Sequence, residues 1–414
     1  MSDSIQQLFP QQKGKHSLSK TLLLKIFLFI NVYKAIVGIF TGKGILTGIS
    51  LLIVLLVFFD KIYSLSKNKM DKLSWFTVFL FCMLTLHLIY SIIFGESTLL
   101  IATISAYFQL ITPLMLLFIV KNISESILNE IVDFLVKILW PMIIFAIIEF
   151  LTPVDIRMKL LSYHSVLTGG DGSIDVAYYL GDTQYNGLRL GSLFFEPLTF
   201  AFVSCFMFVS LFSSRKKKFL YPMITNFLAL GKLPLFTGII SLFNKIINTR
   251  LSKIYYFFSV FFVGIYFAIN AVNILQTSPS MANHLLGLGL GFFSALEKPI
   301  LGHGLGTGGF VSISIYHENG ITGPFYNESP SFNGNESTVG IMLYQLGFII
   351  TFLYLILIIS LFNDIHDKKS KVKAGLVIGY LVSSFLSESV LGITVVSVML
   401  FFLYGNNIYN EKKI

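Results

Sequence analysis

Residues 302–310 read GHGLGTGGF, and within them Gly304, Gly306 and Gly309 are spaced as G-x-G-x-x-G. Between a strand and a helix that spacing cradles a dinucleotide, because glycine lets the backbone approach the pyrophosphate closely. No strand–helix–strand pattern flanks it here, so the run predicts a tight, close-packed turn whose glycines supply positive φ. Arg189 and Glu196 lie in YNGLRLGSLFFEPLTFAF, where a helix would set them on one face. The chain has only four arginines, at 157, 189, 215 and 250, and otherwise uses lysine. A planar, permanently charged fork suits phosphate; an interfacial arginine paired with Glu196 accounts for the same residues structurally.

Other candidates follow the same logic. Lys232, in LALGKLPLF, is a lone cation between two short apolar runs, either a phosphate partner or an interfacial side chain. Glu336 directly precedes a long apolar run. There the helix dipole favours a carboxylate, and a general base facing a sugar hydroxyl fits equally. His303, His317 and Glu318 are further loop groups whose spacing matches no zinc pattern. Arg157 joins Lys232, Glu196, His303 and His317 as a substrate-binding candidate, while Arg189 and Glu336 are the catalytic candidates. No metal and no cofactor is expected.

The elements that must position these residues are set by composition. Of 414 residues, 55% are hydrophobic and 12% charged, with a mean hydropathy of +0.78. A soluble domain carries roughly 25% charged residues, so the bilayer is the solvent this chain suits. The net charge of +9 does not indicate nucleic acid, because the basic residues cluster in short links such as SRKKK (214–218) and DKKSKVK (367–373). Cys82 and Cys205 lie in apolar runs and read as packing residues.

Apolar spans are expected near 21–40, 45–59, 74–94, 98–120, 134–151, 190–212, 219–230, 233–247, 254–275, 337–362, 374–387 and 389–404. The first is long enough to be retained as an anchor rather than cleaved. Splitting 219–247 at Gly231–Lys232 keeps every basic link on one side. The expectation is therefore an all-α polytopic protein of about twelve transmembrane helices with both termini cytoplasmic. Two large outer loops, 152–189 and 276–336, complete it. They hold aromatic and glycine-rich sequence of the kind found in packed, functional loops.

Three segments carry a resemblance. RLGSLFFEPLTFAF (189–202) is similar to an Arg-x-x-Gly-x-aromatic-x-x-Pro run opening a helix. LGKL (230–233) stands at an outer turn. KPILGHGLGTGGF, followed by ESTVGIMLYQLGFIITFLYL, looks like a PxxGxGxG piece with its large loop and next helix. In this order they resemble the Wzy-type O-antigen and capsular polysaccharide polymerases, within the O-antigen ligase/polymerase superfamily. Lys232 departs from the arginine common there. Glu336 and Ser337 stand where ligases carry His-Asn, which favours polymerase over ligase.

The resemblance implies a GT-C-like inverting transferase in the bacterial inner membrane. It would move a growing glycan from undecaprenyl pyrophosphate to a new lipid-linked repeat unit. Arg189 and Lys232 would stabilise the leaving pyrophosphate, and Glu336 would act as base or acceptor-positioning group. The implied partners are the lipid-linked oligosaccharide, membrane lipid, a chain-length regulator and a flippase, with no nucleic acid. A flippase or transporter is the reading from another class. The absence of visible repeats and the concentration of polar residues in two loops argue against it.

Overall fold

The computed structural model describes residues 11–41, 43–65, 70–167, 190–214, 217–229, 231–246, 279–309, 315–316, 337–368, 370–387 and 389–405. All regular structure among them is helical. The long helices are α3 (Lys43–Leu65), α4 (Lys72–Phe94), α5 (Leu100–Asn122), α6 (Glu125–Leu151) and α12 (Thr338–Lys368). These five are long and apolar enough to cross a membrane. In α4 the side chains of Trp75, Phe79, Leu86, Ile89 and Ile93 are exposed at helical spacing. Such a stripe is consistent with a helix that faces lipid.

The span expected at 21–40 is broken. α1 (Gln11–Val32) stops and α2 (Lys34–Thr41) leaves at 88°. At the break a distant part of the chain intervenes: Thr394 Oγ1 donates to Asn31 O at 3.0 Å. Asn31 Nδ2 reaches back to Phe27 O at 2.8 Å and across to Ser50 Oγ at 3.2 Å. The ladder thus gives up an acceptor where it should continue. Counting the bent pair as one span raises the number of candidate crossings to six.

The remaining helices are shorter: α7 (Val154–Leu167), α8 (Pro197–Ser213), α9 (Leu220–Leu228), α10 (Lys232–Ile246), α11 (Pro279–Glu297), α13 (Lys371–Leu386) and α14 (Ile393–Tyr404). The break between α9 and α10 falls at Gly231–Lys232, as charge register requires. The run expected at 389–404 is a 3₁₀ turn, Ser389–Leu391, before the 12-residue α14. The span expected at 254–275 lies outside the described residues.

At about 1.5 Å per residue α14 rises only about 18 Å, well short of a hydrocarbon core of about 30 Å. It is viable because α8, α13 and α14 are buried almost throughout, sheathed by the longer helices. Close approach inside comes from small residues. A Cβ on Gly379 of α13 would lie 2.5 Å from Thr237 Cγ2 of α10, and one on Gly375 would lie 2.5 Å from Ser241 Cα.

Contacts sort the helix termini into two ends. Asn244, late in α10, bonds Lys371 O at the start of α13, so these two helices are antiparallel. Ser337 Oγ and Thr338 Oγ1, at the start of α12, donate to Phe385 O and Ser387 O at 2.8 and 2.7 Å. A Cβ on Gly231 would meet Ala201 of α8, and one on Gly238 would meet Cys205, so α8 and α10 run parallel. One end therefore gathers the starts of α5, α8, α10 and α12 with the ends of α4, α6 and α13. This is the loop-bearing end, and the opposite one is rich in lysine.

Candidate functional site at the loop-bearing end

Glu196 and Lys232 are both exposed here, as the N-cap of α8 and the first residue of α10. Arg189, Glu336 and His317, with Glu318, lie outside the described residues. Residues 190–196 do not form the α-helix on which Arg189 and Glu196 were expected to share a face. Residues 192–194 make a 3₁₀ turn, Phe195 is left-handed at φ 53°, and α8 begins only at Pro197. Proline at N1 explains the late start, since it lacks the N–H a preceding turn would need.

That turn is held by Glu149, from the last turn of α6. Its Oε2 accepts from Ser192 N at 2.7 Å and its Oε1 from Gly191 N at 3.2 Å and Arg157 Nη2 at 3.0 Å. Ser192 Oγ donates to Met142 O at 2.7 Å. Arg157, a binding candidate by sequence, is buried at 6% exposure. It forms the polar end of a cavity of about 140 Å³ whose apolar walls include Phe145, Ile148, Leu161 and Phe195. From the same face of α7, the His164 ring stacks on Phe195 with centroids 4.0 Å apart, and its Nε2 lies 3.2 Å from Ala35 O. Arg157 thus anchors α7 and the 190–196 turn to α6.

The glycine turn behaves as its spacing requires. Gly302, Gly304, Gly306 and Gly309 have φ of 60°, 94°, 81° and 91°, and residues 302–309 are buried. A Cβ on Gly306 would lie 2.4 Å from Thr103 N in α5, and one on Gly304 would lie 2.9 Å from Gly95 Cα. The turn is seated on a break in α12 at Gly347, φ 71°. Phe348 N, which in a regular helix would donate to Tyr344 O, donates instead to Pro299 O at 2.8 Å. Tyr344 O and Gln345 O are then taken by His303 N and Gly304 N at 2.9 and 3.1 Å.

The side chain of Gln345 completes the seat, accepting from Gly306 N at 3.3 Å and donating to Gly308 O at 2.6 Å. Leu305 N donates to Ser91 Oγ at 2.9 Å. With the amides of residues 302–306 spent inside the protein, none is left for a phosphate oxygen. No strand lies beside the turn among the described residues.

His303 is buried within the turn. Its ring stacks on Tyr344, centroids 4.3 Å apart and planes 9° from parallel. Its Nδ1 lies 2.8 Å from Glu96 Oε2 in the short α4–α5 link, and Glu96 N donates to His303 O at 3.0 Å. Lys298 Nζ occupies the other carboxylate oxygen of Glu96. Burial works to raise the Glu96 pKa, but the hydrogen bonds and charges of Lys298 and His303 outweigh it and hold the carboxyl below its ordinary value. Beside it, the Tyr316 hydroxyl is 2.9 Å from Ser97 Oγ and accepts from Thr98 N at 3.0 Å.

Glu96 and Glu149 are the organising residues that sequence reasoning missed. Each had a signal: a carboxylate closing an apolar run on the side away from the lysine clusters. No group of three or more His, Cys, Asp or Glu that could hold a metal occurs among the described residues. No family model, curated protein or solved structure matches the chain.

Proposed function

We propose that this chain is a membrane-embedded glycosyltransferase of the O-antigen and capsular polysaccharide polymerase type. It joins lipid-linked oligosaccharide repeat units at the outer face of the bacterial cytoplasmic membrane. In this reading it crosses about twelve times in a GT-C-like arrangement, with both termini cytoplasmic and the 152–189 and 276–336 loops outside. The observation that carries the reading is spatial. The three segments that bear the resemblance, far apart in sequence, all lie toward one end of an apolar helical bundle. These are the 190–197 turn, the Lys232 helix start, and the glycine turn with its kinked helix.

The chemistry asked of that end is displacement at an anomeric carbon. An acceptor hydroxyl bonds to the carbon while the polyprenyl pyrophosphate leaves with the electron pair. Arg189 and Lys232 stabilise the developing charge on the leaving group, Glu196, His303, His317 and Arg157 shape the mouth, and Glu336 engages the acceptor hydroxyl. A chain-length regulator and a flippase are the expected companions.

Arg189→Ala and Glu336→Gln should each abolish long-chain glycan while leaving normal amounts of protein in the membrane. Normal glycan from both variants would remove these assignments. Deletion of the chain should leave single repeat units on the cell surface. Accumulation of inner-leaflet lipid-linked units in that strain would overturn the reading in favour of a flippase. Loss of all glycan transfer to the final acceptor would point to a ligase.

A further inference from the structure

We propose that α7 is an interfacial helix, seated on the hydrocarbon of the leaflet at the loop-bearing end, so that the partner of its exposed apolar side is the lipid surface. The proposal needs only that the bundle sits in a membrane. It goes beyond the transfer chemistry above and does not depend on it.

Turning by about 100° per residue, α7 sorts its side chains onto three sides. Ile156, Leu160, Tyr163 and Leu167 are spaced i, i+4, i+7 and i+11 and fall within about 60° of arc. Each is half exposed or more. A second side faces the protein: Arg157 is buried, Leu161 lines the cavity beside it, and the His164 ring stacks on Phe195. The third side carries Asp155 and Lys159, both exposed, on the flank of the stripe away from the protein. A surface helix in water needs two sides, one buried and one polar. Four large apolar side chains set between the protein face and the charged face are what a bilayer interface requires.

What covers the stripe follows from where it lies. The last turns of α6, a helix long and apolar enough to cross a membrane, expose Ile144, Ile148 and Leu151 at helical spacing. Ile148 and Leu160 are both walls of the Arg157 cavity, so the exposed side of α6 runs on into the stripe of α7. One continuous apolar surface has one solvent, and for a spanning helix that solvent is hydrocarbon.

Length and attachment agree. At 14 residues α7 rises about 21 Å, too short to cross. Nor does it stand away from the bundle. Arg157 ties its first turn to Glu149, and His164, in its last turn, has Nε2 3.2 Å from Ala35 O in α2. Since α2 leaves α1 at 88°, the far end of α7 is fastened to a helix running across the bundle. Tyr163 pairs an apolar ring with a polar tip, the side chain favoured at headgroup level. Lys159, at the edge of the stripe, can lift its ammonium to the same level.

The test uses the full-length protein in nanodiscs of phosphatidylcholine and phosphatidylglycerol. Exposed Cys82 is replaced by serine, buried Cys205 is kept, and single cysteines along 154–167 carry a spin label. Oxygen concentrates in hydrocarbon and a nickel chelate in water, so the ratio of their collision rates reports the medium. Ile156→Cys, Leu160→Cys, Tyr163→Cys and Leu167→Cys should give an oxygen-to-nickel ratio several-fold above Asp155→Cys and Lys159→Cys. Nickel-dominated collisions along the stripe would place it in water and overturn the proposal. Few collisions with either reagent would mean that protein covers it, whether residues 168–189 or a second copy, and would overturn it equally. If the cysteine variants do not accumulate, the wild type decides. A phosphatidylcholine with a photoreactive group in its acyl chain should then leave adducts on the four stripe residues, and an unlabelled α7 beside a labelled α6 overturns the proposal.

Discussion

The two ends of the bundle solve one problem, placing charge beside an apolar core, in opposite ways. At the lysine-rich end Lys121, 8% exposed, lies 2.8 Å from Asp71 and 2.7 Å from Asp364, and the Tyr404 hydroxyl donates to Asp364 at 2.8 Å. These groups tie α4, α5, α12 and α14 directly, and Asp71 also caps α4 through Ser74 N. At the loop-bearing end the carboxylates Glu96 and Glu149 hold turns instead, and each has histidine or arginine as partner. One end uses charge to join helices. The other uses it to fix the shape of irregular backbone.

That difference can be tested by breaking each end. The largest effect is expected from Lys121→Ala, which takes the lysine cation from Asp364, a carboxylate with a side chain only 10% exposed. Removing one partner of such a pair costs about 3–5 kcal/mol, to be read as a lowered unfolding temperature in detergent. The surviving folded fraction should keep its wild-type transfer rate per molecule. A loss of rate without a loss of stability would erase the distinction between the ends.

Gly306→Ala comes next, since it puts a Cβ against Thr103 N at a φ of 81°. The strain alone is about 1–3 kcal/mol, and the overlap adds to it. Unlike Lys121→Ala, it should lower transfer per folded molecule as well, because it unseats His303. Hydrogen exchange of the 302–306 amides should rise with it.

The smallest effect is that of acid. Glu96 and Asp71 are both held below their ordinary values of 4.5 and 3.8. For each, burial alone would raise the value, and hydrogen bonds, chiefly from lysine, reverse it. A depressed carboxylate contributes stability that is fully present above its unfolded pKa and lost as pH falls through the folded one. Loosening should therefore begin below about 4.5 at the glycine turn and below about 3.8 at the Asp71 cap. In Glu96→Gln the first component should vanish and the second remain, as resolved by hydrogen exchange in the two regions.

Much of this was legible in the sequence, and the reasons differ by residue. The α9–α10 break at Gly231 followed from lysine placement alone, because charge register is a global constraint that one misplaced loop violates. The positive φ of Gly302, Gly304, Gly306 and Gly309 followed from glycine density. The break at Tyr33 was not legible, since what interrupts the ladder is Thr394, more than three hundred residues away. Arg157 was picked out as a rare arginine, but its partner Glu149 sits inside an apolar run and reads as its end. Glu96 was overlooked in a four-residue polar link, and only the seating of the glycine turn shows why a carboxylate stands there.

The break in α12 carries one more consequence. Phe348 N gives up Tyr344 O for Pro299 O, and the freed carbonyls at 344 and 345 are taken up by His303 N and Gly304 N. An uninterrupted helix would keep its own acceptors, so at Phe348 the exchange swaps one carbonyl for another. Hydrogen-bond number at that joint therefore discriminates weakly between a seated and an unseated turn. Selectivity falls to shape: bare glycine faces laid against Gly95, Thr103 and Gln345 at distances no methyl group tolerates. The joint is keyed by missing side chains.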